Sequence, residues 1–500
     1  MGRGSGVLLH ISSLPGPFGI GCFGEEAEMF ARILGSSGVK YWQVLPFTVP
    51  GMGYSPYLSI SAFAGNPLLI DPRQLRDIGL LTQAEVVESQ VDTNPRKTDV
   101  TLCRMKRAEL LRRAYSKMPE SMMPKIKAFV AKHSWLDDFA LFLVIRSLNN
   151  GSDWREWTDE LLRKHDPAAL DVIRKTHWNE YWYYCFIQYI FSEQWYTLKK
   201  KIKEFGVGVI GDIPIYVSPD SADVWAHREL FQIDEDMKLT QVSGVPPDYF
   251  SADGQLWGNP LYNWPAHEKE DYRWWRKRLE EKFKQYDLVR IDHFRAFSSY
   301  WSVPAEEKTA INGTWERGPG VRFFERMARD HHNPPIIAED LGEVTADLHF
   351  FLKSTGFPGM RVIQFGFDTD EDNSHLPHNY PRRSVAYTGT HDNDTLLGWF
   401  SSLPKSSAVR VLEYCGFEED DLASGRLSLT QLGKAIIRIL WQSHADLVIV
   451  PMQDLLGMDS EARMNIPGTA EGNWAVRLTQ EDLALTDTDW LKTLCRIYGR

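Results

Sequence analysis

Little in this 500-residue chain is suited to cross-linking or anchoring it. Its five cysteines (Cys22, Cys103, Cys185, Cys415, Cys495) are odd in number, far apart and free of any C-x-x-C spacing. That excludes a disulfide framework and a zinc knuckle, and it predicts a reducing, cytoplasmic location. No apolar run approaches the roughly 18 residues of a spanning helix. No basic stretch followed by an apolar one opens the chain as a signal peptide would. Positive charge is in deficit: 56 Lys and Arg stand against 67 Asp and Glu, a net charge of −11. Without a basic field, neither nucleic acid nor an anionic membrane is an expected partner. The longest basic run, Lys199-Lys200-Lys201, fits the solvated face of an amphipathic helix. Linkers, internal repeats and low-complexity tracts are also lacking, so residues 1–500 read as one folded unit.

What the chain does have is apolar mass: 43% of its residues, including 18 Trp, 19 Tyr and 25 Phe, enough for a large core. Aromatics serve mainly as core, but sugar rings also present apolar faces that stack on them. Short runs rich in Val, Ile and Leu occur at 7–11, 39–45, 207–213, 288–291, 336–338, 360–365, 384–387 and 447–451. Such continuous apolar runs are those of parallel strands covered on both faces. Helical patterns at 25–34, 271–283 and 429–442 alternate with them. Eight strands interleaved with helices predict an α/β fold, a (β/α)8 TIM barrel. Two large insertions are expected in its loops, a helical one at about 75–203 and a loop-rich one at about 216–265. The last strand ends near Pro451, which leaves no room for a C-terminal β-domain.

Four predicted strand ends are acidic. They read Gly211-Asp212-Ile213-Pro214, Arg290-Ile291-Asp292-His293, Ala338-Glu339-Asp340-Leu341 and Thr390-His391-Asp392-Asn393. All strands of a barrel run the same way, so these carboxylates converge on one mouth although they lie far apart in sequence. Glycoside chemistry uses two carboxyl groups flanking the glycosidic oxygen, one protonated to donate and one ionised to attack or stabilise. Arg290 lies on the same strand face as Asp292 and favours its charged form, as a nucleophile requires. Glu339 has a longer arm and apolar neighbours that raise its pKa, which suits an acid/base. His391 and Asp392 together form a donor and acceptor pair for sugar hydroxyls.

These residues resemble the four short regions of the α-amylase clan, in the same order. The finer detail resembles the amylomaltases, the 4-α-glucanotransferases or disproportionating enzymes. The matching stretches include Ser12-Ser13-Leu14-Pro15-Gly16-Pro17, Ser55-Pro56-Tyr57 and Ser61-Ala62-Phe63-Ala64-Gly65-Asn66-Pro67. Others are Gly244-Val245-Pro246-Pro247-Asp248-Tyr249-Phe250-Ser251, Gln255-Leu256-Trp257-Gly258-Asn259-Pro260, Pro358-Gly359-Met360 and Met464-Asn465-Ile466-Pro467-Gly468-Thr469. The resemblance implies Asp292 as nucleophile, Glu339 as general acid/base and Asp392 as the carboxylate that stabilises the transition state. It implies that Tyr57 stacks beside the cleaved glucose, while Asp212, Arg290 and His391 hold its hydroxyls. Tyr249 and Phe250 match the tip of a loop over the cleft, and Trp257 a sugar-facing ring at its base. Asp368 and Asn465 match weaker substrate-binding positions.

The expected reaction is transfer of α-1,4-glucan segments between maltooligosaccharides, in maltodextrin, starch or glycogen metabolism, with neither metal nor organic cofactor. An α-glucan hydrolase using the same carboxylates is the alternative. A glucan-binding protein without activity would lack one of Asp292, Glu339 or Asp392, and all three are present. The formal G-x-G-x-x-G at Gly19–Gly24 does not follow its strand directly, and the next strand ends Gln43-Val44-Leu45-Pro46 without a ribose-binding acid. It is not a dinucleotide site. The run Asp330-His331-His332 reads as an exposed loop rather than a metal centre.

Overall fold

The computed structural model describes residues 2–247, 252–342, 345–367, 373–469 and 471–500. Its strands, in chain order, are β1 (Gly4–Leu8), β2 (Tyr41–Gln43), β3 (Gly208–Ile213), β4 (Gln241–Val245), β5 (Gln255–Pro260) and β6 (Leu288–Ile291). They continue with β7 (Ser299–Pro304), β8 (Thr314–Arg317), β9 (Ile336–Ala338), β10 (Gly359–Val362), β11 (Ser384–Tyr387) and β12 (Leu447–Pro451). Eight of them close a parallel barrel in the order β1-β12-β11-β10-β9-β6-β3-β2. The fold is therefore the (β/α)8 barrel that the apolar runs predict.

The register explains where the polar groups emerge. Asp212 on β3 pairs with Arg290 on β6, and Ile291 on β6 pairs with Ala338 on β9. The ladder continues one residue past each strand, with Asp292 N–H donating to Ile213 O (2.9 Å) and Glu339 N–H to Ile291 O (3.1 Å). Side chains alternate across a strand. Ile210, Leu288, Ile337, Met360, Val385 and Leu447 pack together inside the barrel, whereas Val209, Val289, Ile291, Ile336 and Ala338 pack outward against the helices. Counting on by two from the inside positions gives Asp212, Arg290 and then Asp292, and Glu339. The same period that fills the barrel floor with apolar groups thus points these acids into its mouth.

Several details differ from the sequence expectation: the strand expected at 39–45 is confined to Tyr41–Gln43, and that at 360–365 ends at Val362, followed by a 3-10 helix over Ile363–Gly366. β1 occupies Gly4–Leu8 rather than 7–11, because the first strand of the barrel begins with small residues that carry no strand signal. A Cβ at Gly6 would stand 3.1 Å from Tyr41 O, so the close approach of β2 favours glycine there. The segment 216–265, expected to be loop-rich, supplies β4 and β5 to an antiparallel sheet of order β5-β4-β7-β8. Its short core of Val242, Val303 and Ala310 is too small to impose a long period-two pattern.

Helices dominate the stretch between β2 and β3. The longest, Trp178–Glu204, spans 27 residues and buries Phe186, Ile190, Trp195 and Leu198. Two glutamines on it grip the chain that follows β2. Gln188 accepts from Gly65 N–H (2.7 Å) and donates to Gly65 O (2.9 Å). Gln194 does the same at Asp71 (2.7 and 3.1 Å). A Cβ on Gly65 would meet the Phe191 ring at 2.2 Å, so glycine is required at that contact. The loop that carries Tyr57 is thereby fixed to the helical layer.

Candidate active site

Arg290 is the hub of the mouth. Its Nη1 donates to both carboxylate oxygens of Asp212 (2.9 and 2.7 Å), and its Nη2 lies 2.8 Å from Asp292 Oδ1. Its Nε points to Met360 Sδ at 3.3 Å. The guanidinium and the Asp212 carboxyl are buried, while about a third of the Asp292 side chain (32%) is open to the cleft. Burial works against the Arg290 charge, but Asp212 and Asp292 outweigh it and hold its pKa well above the usual value. At Asp212 burial pushes the carboxyl up, Arg290 pulls it back and the Asp292 charge adds to the rise.

Glu339 sits beside this pair. Its Oε2 accepts from His293 N–H (2.6 Å) and its Oε1 from Leu341 N–H (2.7 Å), which fixes the carboxyl in one orientation. Burial, then the Asp292 charge, push its pKa up to about 8, against Arg290 and the two backbone donors. At neutral pH the site therefore offers a protonated carboxyl next to a carboxylate that Arg290 pairs. That is the division of labour glycoside cleavage needs.

The loop after β11 brings the next group. Asp392 Oδ1 accepts from Asn465 Nδ2 (2.6 Å) and lies 3.3 Å from His391 Nε2. Tyr57 stacks on His391 with ring centroids 4.8 Å apart and 16° between planes. Its hydroxyl donates to Asp212 Oδ2 (2.7 Å), and burial raises its pKa so that it stays a donor. Trp257 on β5 stands edge-on to His293 at 4.7 Å and is half-buried. Tyr57 thus joins the Asp212, Arg290 and Asp292 network to His391, which lies against Asp392 and, through it, Asn465. Tyr249, Phe250 and Asp368 lie outside the described residues.

Several residues of the site carried no separate signal. Trp474 completes the aromatic wall, 5.7 Å from both Tyr57 and His391, from a left-handed backbone (φ 62°). Nothing in the local pattern marks it. Arg463 donates to the backbone oxygen of Asp392 (2.6 Å), directly beside the Met464-Asn465 motif. His10 accepts from Leu45 N–H (3.2 Å), and burial, with His391 nearby, lowers its pKa to about 3. His293 takes a left-handed turn (φ 49°) straight after Asp292, which aims its N–H at Glu339. In the run Asp330-His331-His332, Asp330 pairs with Arg276 and Arg326. Among the described residues no cluster of His, Cys, Asp and Glu is placed to hold a metal ion. Nor is any described helix long and apolar enough to cross a membrane.

Comparison with known proteins adds to this geometry. A family profile described as 4-alpha-glucanotransferase matches residues 9–483. The chain is 40% identical over 501 residues to the 4-alpha-glucanotransferase of Aquifex aeolicus, covering 100% of this chain and 99% of the relative. It is 42% identical to that of Thermus thermophilus, covering 96% of each. Among solved structures it is similar to an amylomaltase from Streptococcus agalactiae in complex with acarbose. That match has a TM-score of 0.95 and 38% identity, over 100% of this chain and 99% of that one.

Proposed function

The chain belongs to the 4-alpha-glucanotransferase family and is an enzyme of that activity, and we propose that it works by double displacement at Asp292. Glu339 gives its proton to the leaving glycosidic oxygen while Asp292 attacks the anomeric carbon, forming a covalent glycosyl-enzyme. The hydroxyl of a second glucan chain then gives its proton to Glu339 and attacks the same carbon, releasing Asp292. Two inversions give net retention. Only a proton and a glycosyl group change hands in either step, so neither calls for a cofactor.

Asp392, gripped by Asn465, takes the hydroxyls of the distorted ring in the transition state. Tyr57, Asp212, Arg290 and His391 orient that ring and the nucleophile. Trp257 stacks on a neighbouring unit, with Tyr249, Phe250 and Asp368 assigned to the same substrate path. Donors and acceptors are maltooligosaccharides and α-1,4-glucans. We further place residues 1–500 in one catalytic unit with its insertions in barrel loops, and the enzyme in a cytoplasm that keeps its cysteines as thiols. The observation that carries the mechanistic reading is the pair at the hub: a carboxylate bridged by buried Arg290 beside a carboxyl whose pKa stands at about 8.

Incubation of purified enzyme with maltotriose tests the assignment. A ladder of longer maltooligosaccharides with glucose is expected. Simple breakdown to maltose and glucose would make the same carboxylates those of a hydrolase.

A further inference from the structure

Asp454 has no part in the chemistry above, yet it is a buried carboxyl with no ion-pair partner among the described residues. It follows β12 in the short helix Met452–Leu455. Its Oδ2 accepts from Thr388 Oγ1 (2.6 Å) and its Oδ1 from Leu396 N–H (2.7 Å). Thr388 is the residue immediately after β11, and Leu396 opens the helix Leu396–Ser402. Between them run residues 389–395, the loop that bears His391 and Asp392. One carboxyl therefore ties together both ends of that loop.

A cavity of about 30 Å³, room for a single water, is lined in part by Thr390, His391, Asp394 and Asp454. Polar anchors as well as packing hold the loop beside this void. The middle of the loop has several, among them Gln364 Nε2 to Asp394 O (2.9 Å), Ser460 Oγ to Asp394 Oδ2 (2.7 Å), Arg463 Nη2 to Asp392 O (2.6 Å), Asn465 Nδ2 to Asp392 Oδ1 (2.6 Å) and Asn465 N–H to His391 O (3.1 Å). Both ends, in contrast, meet at Asp454.

We infer that Asp454 is a positioning residue, a staple that holds His391 and Asp392 where the transition state needs them. The inference rests on the role proposed for Asp392. A carboxylate accepts fully on both oxygens, whereas protonation makes one of them a hydroxyl and the poorer acceptor. Burial pushes Asp454 up to about 6, against its two hydrogen bonds and with an addition from Asp394. The other titratable or charged groups around the cavity are His10, His391 and Arg463. The stapled form is thus the one above that pH, and it is lost as pH falls through about 6.

The test compares wild type, Asp454→Asn and Thr388→Val by their kcat for maltotriose disproportionation between about pH 5 and pH 8. It is run at a temperature where circular dichroism shows all three folded. Wild type is expected to lose activity as pH falls through about 6. Asp454→Asn is expected to lower kcat at neutral pH by about tenfold with little change in KM, and to lack that acidic limb. Thr388→Val removes a bond that favours the ionised form, so its limb moves to higher pH. A simple packing role would lower thermal stability and leave kcat and the limb alone. Wild-type kcat and an unmoved limb in both variants would overturn the inference. If Asp454→Asn does not fold, the Thr388→Val shift alone decides. A wild type that transfers nothing overturns instead the reading of the site on which the inference rests.

Discussion

Arg290 shares its guanidinium between Asp212 and Asp292 and so ties the two carboxyls into one network. Glu339 has no ion-pair partner among the described residues; burial, then the neighbouring Asp292 charge, raise it to about 8 against the pull of Arg290. The acid form is the one that donates. The forward rate is therefore expected to hold below that value and fall as pH rises through it, a limb that kcat/KM measured against pH will show. Removing either partner separates the two roles. Asp292→Ala leaves nothing to attack the anomeric carbon, and Glu339→Gln leaves nothing to protonate the leaving oxygen. Each is expected to lower kcat by about a thousandfold or more with an unchanged far-UV spectrum. Near-normal turnover in either variant would remove the assignment.

At the scale of elements, site precision comes from how the loops are tied to the layers around them. Gln188 satisfies both backbone groups of Gly65 and so fixes the loop that presents Tyr57. Gln188→Ala leaves a buried N–H and C=O without partners, a cost of about 1–3 kcal/mol. Thermal unfolding should show that loss, and KM should rise because Tyr57 lies on the freed loop. This tie also illustrates what the sequence makes legible. The strands at 288–291, 336–338, 384–387 and 447–451 coincide with β6, β9, β11 and β12, because strands covered on both faces must be continuously apolar. β1 escaped that pattern through its glycines. The sheet of β4, β5, β7 and β8 escaped it because few of its residues are core. The carboxylates at strand ends were readable for a topological reason, since parallel strands bring their ends together. Trp474 and the Asp454 staple were not, because each depends on contacts between segments far apart in sequence.

For the molecule as a whole, the barrel must close where the chain's first and last strands meet, and that seam lies between β1 and β12 over five residue pairs. Beneath it, on the face opposite the mouth, Arg500 fills the joint. Its Nε donates to Trp441 O (2.9 Å), its Nη1 to Gly4 O (3.1 Å) and its Nη2 to Ser443 O (3.0 Å). A second join runs up the side, where Thr98 N–H meets Ala475 O (2.7 Å) and Leu478 N–H meets Ser13 O (2.8 Å). This places Trp474 at the cleft. In a barrel the two faces divide labour, chemistry at the carboxyl ends of the strands and stability at the amino ends. Arg500 belongs to the second face, so Arg500→Ala is expected to separate the two properties. Four carbonyls lose a charged donor, although Arg3 still reaches those of Trp441 and Ser443, which should cost about 1–3 kcal/mol and lower the midpoint of urea unfolding. Because the mouth is untouched, kcat for maltotriose disproportionation should remain at the wild-type level at moderate temperature. A variant that lost activity while keeping its midpoint would mean that the seam and the mouth are coupled through the barrel wall rather than divided by it.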